Sequence, residues 1–216
     1  DGFPDLFVTS SVAGQHRLLR NLGDGSFKID EQAGLKEALK SLKAHYAAFF
    51  DFDNDGHVDI VVAGASVDSA QSGVVLLHND GKGVFENASQ LLPGTIRSAS
   101  RVAVTDYNLD GDLDIFLAGD MGLRLLRNDG VNVNHHLKLK LVGVRTGSGK
   151  NNYYGIGSKV EVRSGDQYQM QTVTGPTIYF GLALKDKAEV VRSLWTNGTP
   201  QYIFSPGRVL ARVERL

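Results

Sequence analysis

The chain has 216 residues, 42% of them hydrophobic, and a formal net charge of −1. That leaves room for a full core in a soluble globular fold, and near-neutral charge without a basic stripe excludes a nucleic-acid reader, which needs Lys and Arg gathered on one face. No apolar run approaches the ~20 residues of a membrane span, and with no cysteine there are no disulfides from which to read a redox compartment.

The chain opens on Asp1-Gly-Phe-Pro-Asp5-Leu-Phe-Val, the end of a turn running into a strand. Leu18-Leu-Arg-Asn21-Leu-Gly-Asp-Gly25-Ser-Phe27 reads as a strand, an Asn/Gly-rich hairpin turn and the strand that follows. Leu35, Leu39, Leu42 and Tyr46 fall at helical spacing with Lys36, Lys40 and Lys43 opposite, which predicts one amphipathic helix with a solvated lysine face. Ala47 to Phe50 reads as a strand, followed by the acidic loop Asp51-Phe-Asp-Asn-Asp-Gly-His-Val-Asp59. Asp59-Ile-Val-Val-Ala-Gly64 is a short β-branched run ending at Gly, the pattern of a buried strand. Leu76-Leu-His-Asn79-Asp-Gly-Lys-Gly83-Val-Phe85 then gives another strand and turn. The cycle returns as a strand over 102–105, the loop Asp106-Tyr-Asn-Leu-Asp-Gly-Asp-Leu-Asp114, the strand Asp114-Ile-Phe-Leu-Ala-Gly119, and Leu125-Leu-Arg-Asn128-Asp-Gly130.

Both loops read D-x-[DN]-x-D-G-x-x-D. Oxygen side chains recur at positions one, three, five and nine: Asp51, Asp53, Asp55 and Asp59, then Asp106, Asn108, Asp110 and Asp114. Carboxylates this close repel one another unless a cation joins them. Calcium accepts roughly 6–8 oxygens in a flexible shell, whereas magnesium holds to a strict octahedron and keeps its waters. Asp, Asn and Gly also make ordinary turns, which explains one or two such residues but not the same pattern twice. An EF-hand is excluded, because position twelve is Val62 or Leu117 rather than Glu and the flanks are strands.

Asp59 and Asp114 lie 55 residues apart, and Asp5 lies 54 before Asp59. The chain therefore opens inside a third copy, with Asp1 and Asp5 at positions five and nine of a half-missing loop. A unit of about 50 residues with four short strands is a propeller blade. The expected fold is all-β: a partial β-propeller of about three blades over residues 1–131, completed by upstream blades of the same protein. These motifs resemble the FG-GAP/VCBS repeats of integrin α-like propellers and secreted bacterial proteins. That resemblance implies calcium bound by the side chains named above, with the backbone carbonyls of His57 and Asp112 at position seven. Asn108 removes one charge from the second site, which is expected to bind more weakly.

From residue 132 the repeat gives way to short strands over 134–143, 156–163, 167–174, 178–182, 189–195 and 202–204, with a Gly/Asn-rich turn at 147–152. These predict a small β-sandwich or barrel over 132–216. Asn134-His135-His136-Leu137, Gly155-Ile156-Gly157-Ser158-Lys159-Val160, Gln169 to Thr174, Phe180-Gly181-Leu182 and Trp195-Thr-Asn-Gly198-Thr-Pro-Gln201 follow in an order that resembles an ASPIC/UnbV domain. His136 stands where that family has Trp, Thr196 where it has Pro, and the loop between Thr174 and Phe180 is short. Gly147-Ser-Gly-Lys150 lacks the spacing of a phosphate loop. His135 and His136 point to opposite faces of a strand and do not share a metal.

No nucleophile motif or zinc motif is present, so the chain is not expected to be an enzyme. The expected function is a calcium-stabilised extracellular, periplasmic or cell-surface interaction or adhesion module with a protein or glycan partner. Weak oxygen sites, with Kd of roughly 10⁻⁴–10⁻³ M, fill outside cells. The alternative is a carbohydrate-binding or accessory part of a secreted polysaccharide-active enzyme.

Overall fold

Period-two alternation and frequent Asn/Gly turns produce seventeen strands in five open sheets, seen in a computed structural model that describes residues 2–31, 33–94, 96–120, 122–130, 133–143, 152–206 and the backbone of 211–214. Asp1 and the predicted turn at 147–151, including Gly147-Ser-Gly-Lys150, lie outside the described residues. Proximity of Cα atoms divides the chain into two units: residues 1–52 with 57–129, and residues 53–56 with 130–216.

The first unit holds three antiparallel meanders. They are β1 (Leu6–Val8), β2 (Arg17–Asn21) and β3 (Phe27–Ile29); then β4 (Leu42–Phe50), β5 (Asp59–Ser66), β6 (Val74–Asn79) and β7 (Phe85–Asn87); then β8 (Arg101–Thr105), β9 (Asp114–Gly119) and β10 (Gly122–Leu126). The middle sheet is buried on both faces. Ile60, Val62, Val75 and Leu77 pack with Leu18, Leu35 and Leu39 on one side, and Val61, Ala63, Val74 and Leu76 pack with Val102, Ile115 and Leu117 on the other. This double burial explains why β5 is continuously apolar rather than alternating, and each such Ile or Leu contributes about 2 kcal/mol of transfer free energy. The outer sheets have one packed face. The other face stays open, with Leu6, Val8, Phe27 and Ile29 exposed on the first sheet and Leu123 and Leu125 on the third.

One predicted element is corrected here. The helix spans only Leu35–Ala38 (α1), while Leu42 and Tyr46 belong to β4. The spacing of Leu35, Leu39 and Leu42 arises because all three enter the same core from a helical turn, its exit and a strand. A register shift between Ala44 and Tyr46 then moves the following alternation by one residue and imitates a helical step.

In the second unit two open sheets face each other across one core. β11 (His135–Val142) lies between β14 (Ile178–Ala183) and β17 (Ala211–Glu214), and the other sheet runs β13 (Gln167–Thr172), β12 (Lys159–Ser164), β15 (Val190–Leu194), β16 (Pro200–Phe204). Leu137, Leu139, Phe180 and Leu182 meet Val160, Val162, Val191 and Trp195. Neither sheet closes on itself. Gln169 and Gln171 donate their amides to the carbonyls of Gly181 and Tyr179 at 2.6 and 2.7 Å, pinning one sheet edge to the other. The Trp195 indole N–H donates to Gln201 Oε1 at 3.1 Å. Residues 53–56 are held in this unit through three successive carbonyls. Asp53 O accepts the Asn134 amide at 2.9 Å, Asn54 O accepts the Ala183 N–H at 2.9 Å, and Asp55 O accepts the Gln167 amide at 2.7 Å.

Candidate metal centre

The two acidic loops share one backbone course. Position four turns left-handed in both, with φ of 57° at Asn54 and 66° at Leu109, and so does position six, with φ of 87° at Gly56 and 98° at Gly111. Gly meets this demand without cost, and Asn tolerates it. Leu does not, so Leu109 carries roughly 1–2 kcal/mol of local strain that its loop must offset.

Position nine is the anchor. Asp59 is fully buried, and its two oxygens accept the N–H of Phe52 at 3.0 Å and of Asn79 at 2.8 Å. Asp114 is also fully buried and accepts the N–H of Tyr107 and of Asn128, both at 2.8 Å. Asp5 accepts the N–H of Asn21 at 2.9 Å, but its other oxygen takes the Arg20 guanidinium at 2.7 Å. Arg20 also reaches Asp30 and the carbonyl of Gly83, each at 2.9 Å. The repeated Asn answers in kind. Asn21, Asn79 and Asn128 donate their side-chain amides to Pro4, Val58 and Leu113, the carbonyls at position eight, at 3.1, 3.1 and 3.5 Å. Each acidic loop is thus clipped to the strand after next by an Asp and an Asn about 14–20 residues apart, bonds worth about 1.5–3 kcal/mol apiece where the carboxylate accepts. The repeating Asn was visible in the sequence; its role was not.

In the first loop one oxygen each from Asp51, Asp53 and Asp59 lies within 4.8 Å of the others, and Asp53 and Asp55 stand equally close to a ring nitrogen of His78. Asp51 is 7% exposed and Asp59 0%. Anionic oxygens gathered at such low exposure fit a hard divalent cation, whose charge offsets their mutual repulsion. His78 was absent from the predicted set. It adds a nitrogen donor, and it precedes the clip Asn just as Arg20 and Arg127 do in the other copies. In the second loop Asp106 and Asp114 are buried, while Asn108 and Asp110 are exposed. The Asn108 amide donates to Asp110 at 2.5 Å, and the other Asp110 oxygen accepts the N–H of Asp112 at 3.0 Å. Among the described residues no three acids or imidazoles gather here as they do in the first loop. His57 and Asp112 sit half-buried at position seven.

The profile of the FG-GAP-like repeat family matches residues 1–62 and again residues 51–117, more than half of the chain between them. The chain belongs to the FG-GAP-like repeat family. The second match opens on Asp51, the first ligand position of the converging loop. No curated protein matches the chain. FG-GAP-like repeats point to an extracellular or surface interaction module and commonly bind calcium. Among the described residues no helix is long and apolar enough to cross a membrane.

Proposed function

We propose that the chain is a calcium-stabilised, non-enzymatic interaction or adhesion module of the cell surface, periplasm or extracellular space. The observation that carries this reading is the convergence of Asp51, Asp53 and Asp59 in an FG-GAP-like loop. Asp51, Asp53, Asp55, Asp59 and the His57 carbonyl would hold the first ion. Asp106, Asn108, Asp110, Asp114 and the Asp112 carbonyl would hold the second. A bound ion neutralises the clustered charge and makes each strand–loop–strand corner rigid, so its binding free energy becomes folding free energy. Millimolar calcium outside cells suits weak oxygen sites.

The three meanders are read as blades of a β-propeller. The double-sided burial of the middle sheet supports this, as do the exposed apolar faces of its two neighbours, which further upstream blades would cover. Residues 132–216 are read as an ASPIC/UnbV-like domain, supported by the bond between Trp195 and Gln201, the two ends of its last motif. A protein or glycan partner would meet the loops and faces of this scaffold. Thermal unfolding in excess EDTA and in millimolar calcium, beside an Asp53→Ala/Asp110→Ala variant, tests the proposal. The melting temperature is expected to rise with calcium in the parent and not in the variant; an unresponsive parent sinks the reading.

A further inference from the structure

The outer face of the β13-β12-β15-β16 sheet carries side chains that its own fold does not require. Register places Tyr168, Arg163, Val190 and Phe204 in one row across the four strands, and Met170, Glu161, Arg192 and Tyr202 in the next. Lys159 follows on the same face of β12. Tyr168 is 50% exposed, Tyr202 52% and Phe204 73%. A strand whose outer face met only water would be expected to carry polar residues at these positions, yet three aromatic rings stand there.

The groups form a connected track. Arg192 Nη1 donates to both oxygens of Glu161 at 2.9 and 3.0 Å. Its guanidinium lies 5.9 Å from the Tyr202 ring centroid. The Tyr202 and Phe204 rings are nearly parallel, 11° apart in plane with centroids 6.5 Å apart. At the far edge, burial and the nearby Glu161 carboxylate raise the Tyr168 phenol above its ordinary pKa. Four strands at about 4.8 Å spacing make the track roughly 14 Å long. Lys159, Arg163 and Arg192 share the strand positions of this face with one carboxylate, Glu161, and Glu189 adds a second beside it, where it accepts the Gly165 N–H at 2.6 Å, so the face keeps a small positive excess on a chain whose net charge is −1. At the adjoining hairpin, Asp166 is already paired with Lys185 at 3.3 Å.

We infer that this face binds an acidic polysaccharide, its aromatic rings stacking on sugar rings and its Arg and Lys groups pairing with sugar carboxylates. Ring faces pack well against the C–H face of a pyranose, and Tyr, Trp and Arg side chains dominate recognition surfaces because they combine area with polarity at low entropic cost. Arg matches a carboxylate with two parallel donors. A flat, shallow track suits an extended polymer; a small molecule would need an enclosing cavity. Three cations are too few for single-stranded nucleic acid, which presents a phosphate at every nucleotide and calls for a continuous basic groove. The inference gives the interaction module a partner but uses no residue of the acidic loops, so it is tested with calcium and with EDTA in parallel.

The test is affinity electrophoresis of the whole chain in gels containing polygalacturonate, with dextran, polyglutamate and oligo-dT as comparison matrices. Polygalacturonate is expected to retard the chain, with the other three having little effect. Tyr202→Ala and Phe204→Ala should each weaken retardation about tenfold, and Lys159→Glu/Arg163→Glu should abolish it. All four side chains are exposed, and unchanged melting temperatures would confirm that the variants fold. Absence of retardation by polygalacturonate overturns the inference. So does equal or stronger retardation by polyglutamate or oligo-dT, or indifference to the Tyr202 and Phe204 substitutions. Loss of binding in EDTA alone, with the wild-type sequence, would fault only the assumption that this unit is independent of the loops; binding in both buffers alongside an absent calcium response would leave this inference standing and remove the calcium reading.

Discussion

The two acidic loops have the same pattern, the same left-handed turns and the same Asp anchor, yet they differ at position three. Asp53 brings a third carboxylate to two that are already buried, whereas Asn108 brings an amide that hydrogen-bonds to Asp110. The first loop is the more buried along its tip, and the second leaves its tip exposed. One atom's change from oxygen to nitrogen thus separates a loop whose acids gather closely enough to hold a cation from one whose position-three side chain bonds within the loop. Backbone course and acid clustering differ independently between the two loops: the left-handed turns and the Asp anchor are common to both, and the close group of three acids occurs in the first.

The widest test of that separation is the anchor. Asp59→Ala and Asp114→Ala each leave two partly buried N–H groups without their carboxylate, at about 1–3 kcal/mol per group. Both variants are expected to lose roughly 4 kcal/mol in urea unfolding in EDTA, and more in calcium, where a ligand is lost as well. A loss confined to calcium would mean that the anchor acts only as a ligand. Next in size is the cation itself. An ion at about tenfold over its Kd, the most that millimolar calcium gives a weak oxygen site, stabilises by about 1.4 kcal/mol. Asp53→Ala is expected to remove most of the calcium-dependent rise in melting temperature, and Asp110→Ala a smaller part; the reverse ranking would invert the comparison. Asn108→Asp should make the second loop resemble the first. In EDTA it is expected to cost about 1 kcal/mol, the repulsion of two charges near 4 Å in water, and in calcium to raise affinity, read by calorimetric titration.

The smallest effect lies outside both loops and serves as their control. His16 is buried, accepts the Ser10 N–H at its Nδ1 and lies 2.9 Å from the Leu42 carbonyl through Nε2. That pairing assigns its proton to Nε2 in the neutral form. Burial pushes its pKa below the ordinary 6.5, opposed in part by the Leu42 bond. A base whose folded pKa is depressed favours folding fully above its unfolded value. Its contribution is lost as pH falls below 6.5 towards the folded value. Melting temperature in EDTA is therefore expected to decline modestly across that window in the parent and to stay flatter in His16→Gln, while the carboxylates remain charged.

The acidic loops were legible because their signals are local: Gly where the chain turns left-handed, and oxygen side chains at alternate positions. The buried strands β5 and β9 were legible for the same reason. The clip between Asp59 and Asn79 joins residues twenty apart, and only the recurrence of Asn hinted at it. His78 reaches the loop from a neighbouring strand, a juxtaposition that no short-range pattern encodes. Leu35 to Tyr46 imitate a helix in the sequence because a bulge in β4 breaks the period of two. Tyr202 and Phe204 read as strand residues in the sequence and are strand residues in β16, and their exposure follows from the sheet that carries them.

The strand β17 pairs in parallel with β11, Leu139 opposite Ala211 and Val142 opposite Glu214. The earliest strand of the second unit therefore receives its second neighbour from a segment made roughly 70 residues later, and bringing such distant ends together costs roughly 4 kcal/mol of chain entropy. During synthesis β11 leaves the ribosome with both edges open, one until β14 is made and the other until β17, and its alternating Lys residues, Lys138 and Lys140, are the kind of side chain that discourages a foreign strand from adding there. The charges on this strand thus act in time as well as in space, guarding an edge until β17 is available to close it.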